Sequence, residues 1–209
     1  MKIARTGPRE GAWNVTKKQV AASELSRSIR TLICFRDPIS AHVLAGAARD
    51  IVHAIAKATG RPRLWDHFKD WIVDEAQDAV YALWKEDYNF FKHADRDPDV
   101  VNDFWTPEVT EFFLWETCVD FELVFDERYV DTTFYQIWFE TRQPNIVKPE
   151  RLKVHDQLRA AHAPYFDDSG AMKTRSLAEM LATIDRGDAN PPDNLPLLSR
   201  VGAMPPEKA

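Results

Sequence analysis

The stretch Tyr88-Asn89-Phe90-Phe91-Lys92-His93-Ala94-Asp95-Arg96-Asp97 gathers aromatics, an amide, cations, an imidazole and carboxylates within a few turns of chain. An imidazole titrates near neutrality, so His93 could take or give a proton. A carboxamide such as Asn89 could orient that imidazole or an anionic ligand, and Lys92 or Arg96 could supply positive charge beside it. Whether these groups act together depends on the helix that carries them. Asn89 and His93 are four residues apart and therefore neighbours on one helical face. Val80, Leu83, Trp84, Phe91 and Ala94 form an apolar stripe with Phe90 at its margin. The Asn89/His93 face lies roughly opposite, in line with Glu75, Asp78, Ala82 and Glu86. Such a face is either solvated, or it lines a cleft or a subunit interface.

The elements that position this stretch read as helices. Thr16 can cap a first helix reaching about Phe35, with Val20, Leu25, Ile29, Leu32 and Ile33 as its apolar side. Asp37-Pro38 combines a side-chain acceptor at the N-cap with a proline where no N–H is needed, and Gly60 suits the left-handed position past Thr59. Leu44-Ala45-Gly46-Ala47-Ala48, in the middle of this second helix, is small and apolar nearly all round, which predicts a central helix. Gly46 lowers helix propensity there, so a close approach of a neighbour is its expected reason. Pro62 breaks the chain, and Leu64 to Trp71 leads into the helix ending near His93. Thr106-Pro107 opens a further helix to about Phe125, Thr132 or Thr133 another to Arg142, and Glu150–Ala161 and Ser176–Asp185 two more. No run alternates with period two. The fold class is therefore all-α: a single-domain bundle of five to seven helices over residues 15–186. A loose lead-in, 1–14, precedes it and a proline-rich tail, 187–209, expected to be disordered, follows.

Composition narrows the function classes. The 209 residues suit one sizeable core, and 44% hydrophobic with 29% charged residues is an ordinary globular balance. Twelve Phe and seven Trp against seven Gly favour bulky helix packing over a turn-rich β fold. A formal charge of −6 argues against a protein coated with nucleic acid while allowing a local basic patch. Cys34 and Cys118 sit in apolar helical patterns and read as buried thiols of a reducing compartment. With no apolar run of membrane length, a cytoplasmic protein is expected.

Other chemistries meet specific obstacles. Asp95, Asp97, Asp99 and Asp103 begin like a calcium loop, but the sixth and twelfth places hold Val100 and Thr106 instead of Gly and Glu. The chain has no Glu-x-x-His pair for a carboxylate-bridged metal bundle. His42 and His53 share a helix face but stand about 16 Å apart at 1.5 Å rise per residue, too far for one ion. Phosphate loops and nucleophile elbows are absent from the sequence. Phe112, Phe113, Trp115 and Phe121 fall within a helical pattern and read as core. No cofactor is implied.

The Asn-x-x-x-His spacing of Asn89 and His93, with Ala45-Gly46-Ala47-Ala48 and Asn-Phe-Phe-Lys-His-Ala-Asp-Arg-Asp around it, resembles a bacterial helical family associated with the HEPN superfamily. The resemblance spans residues 20–140 in helix order. In metal-independent HEPN ribonucleases the motif's Arg and His sit at a dimer interface and act on the RNA phosphate. It implies a homodimer and an RNA-directed protein, RNA-binding or weakly ribonucleolytic, with His93 as acid/base, Asn89 orienting it or the phosphate, and Lys92 or Arg96 as the cation. Tyr88 stands where the motif has Arg, replacing a bidentate guanidinium by one neutral donor. The alternative is a non-enzymatic helical interaction module in which Asn89 and His93 satisfy hydrogen bonds at an interface.

Overall fold

The computed structural model describes residues 14–68, 86–92, 99–144 and 149–188. They form an all-α, single-domain bundle: α1 (Lys17–Ile33), α2 (Pro38–Thr59), α3 (Leu64–Phe68), α4 (described over 86–92), α5 (Pro107–Phe125), α6 (Val130–Arg142), α7 (Pro149–Ala161) and α8 (Thr174–Asp185). Among the described residues the only extended pairing is an isolated bridge between Phe166 and Met172. No described helix is long and apolar enough to cross a membrane. The lead-in before residue 14 and the tail beyond 188 lie outside the described residues.

Local chemistry sets most of the helix ends. Thr16 and Gln19 form a reciprocal capping box at the start of α1. Asp37 accepts from the Ser40 N–H with Pro38 in the first turn, and Gly60 closes α2 at φ +68°. Two expected ends differ. Thr106 has an extended backbone but makes no side-chain cap bond to α5. α6 begins at Val130, ahead of Thr132, because the Thr132 hydroxyl turns back to the Tyr129 carbonyl and to the Glu122 carboxylate. A third expectation is corrected: Cys34 follows the last turn of α1 and is exposed, whereas Cys118 is buried.

α5 is central to the core, with Phe113, Leu114, Trp115, Cys118, Phe121 and Val124 all buried. α2 packs between α1 and α5. Its partnership with α5 is parallel: Thr110 meets His42, Glu116 meets Arg49 and Asp120 meets His53. The small residues Ala41, Ala45, Ala48 and Ala56 let the helices approach. On the other side of α5, the Trp115 indole donates to Glu140 of α6, and the Tyr135 hydroxyl donates to the Glu111 carbonyl. Arg30 of α1 reaches both Asp131 of α6 and Asp185 of α8, closing the bundle.

His42 shows what this packing does to a titratable group. Its ring is fully buried, stacks on Phe113 at 4.3 Å between centroids, and places Nδ1 3.1 Å from the Thr110 hydroxyl. Burial, helped by the charge of Arg49, lowers its pKa from 6.5 to about 4. A depressed pKa contributes stability that is present above the unfolded value and lost as pH falls through the folded one. On linkage grounds that contribution is about 3 kcal/mol, fading between roughly pH 6.5 and 4. His42→Phe keeps the stack and removes the titration. Urea unfolding across that window should show a shallower pH slope in the variant; equal slopes would contradict the assignment.

Candidate functional site

α4 carries the motif stretch, and its described turns separate the expected quartet. Asn89 is exposed, as the opposite-face reading predicts. Lys92 is also exposed, but its ammonium turns toward α2, 3.2 Å from the Tyr88 phenol oxygen and 3.4 Å from Asp50. Its pKa is raised, first through the bond to Tyr88 and then through Asp50. His93 and Arg96 lie outside the described residues. Tyr88, at the motif's Arg position, is buried and reaches its hydroxyl to Asp50 at 3.2 Å. A Cβ on Gly46 would fall inside that ring, so the glycine in α2 is the notch that seats Tyr88.

Asp50 is also one wall of a cleft of about 770 Å³ lined by His53, Lys57, Arg61, Arg63 and Asp66. Its construction follows from the sequence. Asp50, His53 and Lys57 recur at helical spacing along the last turns of α2. Gly60 then reverses the chain, and Pro62 keeps the helix from continuing. Asp66 accepts from the Arg63 backbone N–H at 2.9 Å and from its guanidinium, which fixes the start of α3.

Behind the cleft lies a buried polar cluster that sequence reasoning missed. The Arg49 guanidinium forks onto Glu116 with two bonds of 2.9 Å, both partners being buried. One turn further, His53 Nε2 donates to Asp120 at 2.5 Å, and Asp120 also accepts the Leu64 N–H at 2.6 Å. Asp120 thereby ties α2, α3 and α5 at one point. Burial raises the Glu116 carboxyl above its ordinary value, while the charge and hydrogen bonds of Arg49 work against that shift. His53 is moved below its ordinary value, first by burial and then by the charges of Arg49 and Arg63, while the bond to Asp120 works the other way. At neutral pH this describes a neutral imidazole with its Nε2–H committed to Asp120. Nδ1 has no hydrogen-bond partner among the described residues.

Donor atoms of His53, Glu116 and Asp120 lie within 4.8 Å of one another, a spacing a metal ion could use. The oxygens of both carboxylates are already engaged here: those of Glu116 by the Arg49 guanidinium, and those of Asp120 by His53 and the Leu64 N–H. The arrangement suits proton transfer by an oriented imidazole beside an anion held by Lys57, Arg61 or Arg63. The signal that could have found it was visible: Arg49/His53 and Glu116/Asp120 are two pairs four apart inside otherwise apolar helical runs. No family model, no curated protein and no solved structure matches the chain.

Proposed function

We propose that the chain is an RNA-directed, HEPN-like helical protein that holds the sugar–phosphate backbone along the α2–α3 cleft and the adjoining Asn89–Lys92 ridge of α4. One observation carries the reading. A chain of formal charge −6 gathers Lys57, Arg61 and Arg63 around one cleft, with Lys92 just beyond Asp50. Among the described residues the exposed Lys57 has no ion pair, and Arg61 has only a 3.9 Å contact with the exposed Asp126. Those two cations can exchange water for phosphate at little cost. His93 as acid/base, Asn89 as its orienting partner and Lys92 or Arg96 as the cation remain the motif-based assignment within this reading.

The test is fluorescence anisotropy with a single-stranded RNA oligonucleotide across a salt series. Each phosphate contact on a single strand adds roughly 0.7 to the slope of log K against log salt. Lys57→Ala and Arg61→Ala should each lower the slope by about that amount, whereas Arg175→Ala on α8 should leave it unchanged. No binding at low salt, or identical slopes in all three variants, would sink the reading.

A second reading, a homodimeric interaction module, is favoured by a different feature. The Thr110 hydroxyl donates to the Pro38 carbonyl, which sets the starts of α2 and α5 side by side. At that end Phe35, Ile39, Val101 and Phe104 are exposed, Phe104 by 89%. Light scattering on the same samples separates the two. A dimer disrupted by Phe104→Asp with RNA binding intact assigns this end to self-association, and a monomer at high micromolar concentration excludes it.

A further inference from the structure

We propose that His53 is the acid–base residue of an RNA-cleaving centre in the α2–α3 cleft, with Asp120 as its positioning residue and Arg61 as the cation for the scissile phosphate. The substrate class rests on the RNA-directed reading; the roles rest on the cleft itself.

Three observations converge on His53. Its ring lines the cleft, with about a tenth of its side chain exposed, yet it is anchored from behind by a wholly buried carboxylate. Because Asp120 also holds the Leu64 N–H, it cannot swing away, and it fixes the imidazole tautomer with the proton on Nε2. Nδ1 is then the basic nitrogen. Next, among the described residues the cleft lining contains no Ser, Thr or Cys, so the attacking oxygen is taken from the ligand or from solvent. An RNA 2′-hydroxyl is such an oxygen. Last, the volume of about 770 Å³ falls in the range of small-ligand sites, room for a nucleotide or two of single strand.

The step balances without a metal or a redox partner. The 2′-O–H proton passes to His53 Nδ1, and the 2′-oxygen forms a bond to the adjacent phosphorus. The bond from phosphorus to the 5′-oxygen breaks, and that oxygen leaves with a proton taken from water. The products are a 2′,3′-cyclic phosphate and a 5′-hydroxyl, and the imidazolium returns its proton to solvent. Arg61, and Lys57 beside it, face the charge gathering on the phosphate oxygens.

The groups around His53 decide how its activity should follow pH. Arg49, Asp50 and Lys57 come from its own helix, Arg61 and Arg63 from the segment leading into α3, Asp66 from α3 itself, and Glu116 and Asp120 from α5. The working base is the neutral ring, so cleavage should rise with pH through the His53 titration and level off above it.

The experiment uses the full chain, a labelled single-stranded RNA and excess EDTA, with product ends read by mass spectrometry. Wild type should give cyclic-phosphate ends and should leave a strand with 2′-deoxyribose at the cleavage site intact. His53→Ala should fall by roughly 10²–10⁴-fold, bind RNA as wild type does, and regain activity with added imidazole. His53→Gln, which keeps a donor for Asp120, guards against a folding failure: it should unfold like wild type and still be inactive. Asp120→Asn should lower the rate and change the pH profile. RNA bound but never cleaved overturns the inference while leaving the RNA reading standing. Cleavage that requires a divalent metal overturns it in favour of His53, Glu116 and Asp120 as ligands. Undiminished cleavage by His53→Gln overturns it in favour of His93. A protein that binds no RNA removes both.

Discussion

Glu116→Ala is expected to destabilise the fold by about 3–5 kcal/mol, a large share of a typical domain's stability. The substitution removes the carboxylate that two nitrogens of the Arg49 guanidinium address, and Arg49 is only 1% exposed. Its charge would remain in the α2–α5 seam against the Phe113 ring, 5.3 Å away. Truncation therefore takes the bidentate carboxylate away from a buried charge, which costs more than the pair's own net worth. The companion variant makes the distinction measurable. Arg49→Met with Glu116→Leu removes both charges and should recover most of the loss. Urea unfolding of the three proteins decides: a Glu116→Ala loss below about 1 kcal/mol would mean the seam is not organised around this pair.

Gly46→Ala should be the second large effect, and its sign is not what helix propensity gives. In an exposed helix interior, alanine would gain about 1 kcal/mol over glycine. Here the new methyl would sit within the Tyr88 ring. Ring carbons cannot yield the way the end of a flexible chain can, so α4 must shift, and overpacking of this kind costs about 1–3 kcal/mol. A net loss of up to about 2 kcal/mol is expected after the propensity gain. In a double-mutant cycle, Gly46→Ala placed on a Tyr88→Ala background should become stabilising, because only the propensity term remains. Additive losses would show that Tyr88 is not what Gly46 accommodates.

Much of the fold was legible because its causes are local. The Asp37-Pro38 start, the Gly60 stop and the Thr16 cap each depend on residues within one turn, and each holds. Gly46 announced that something approaches α2 closely, though not what. Tyr88 was read against the motif's Arg; its long amphipathic side chain, able to bury a ring and still reach Asp50, was the better clue. Cys34 looked buried because the apolar pattern of α1 runs through it, but the helix ends at Ile33 and the thiol falls in the turn. The buried cluster shows the limit most clearly. Glu116 and Asp120 interrupt the apolar surface of α5, and Arg49 and His53 interrupt that of α2. Each is visible alone as a charge where core belongs. Pairing them needs the axial alignment of two helices whose partners are 67 residues apart, and no periodicity encodes that offset. The placement of Asn89 on the outer face followed from periodicity; the turn of Lys92 toward Asp50 did not.

The parallel run of α2 and α5 has a consequence for the order in which the chain can assemble. Antiparallel neighbours such as α1 and α2 meet across the short turn Cys34–Asp37 and can zip from it as soon as the turn forms. Parallel neighbours have no such turn. After Gly60 the chain must travel back past the whole length of α2 before Thr110 can find His42. Closing a loop of that size precedes any reward from the contacts it makes. The α1–α2 hairpin is therefore the natural nucleus, and the polar ladder of Arg49 with Glu116 and His53 with Asp120 engages late, on the downhill side of the barrier. Damage to the ladder then shortens the lifetime of the native state while leaving the time taken to reach it nearly untouched. The residues that back the cleft are the same ones that keep the folded chain from reopening.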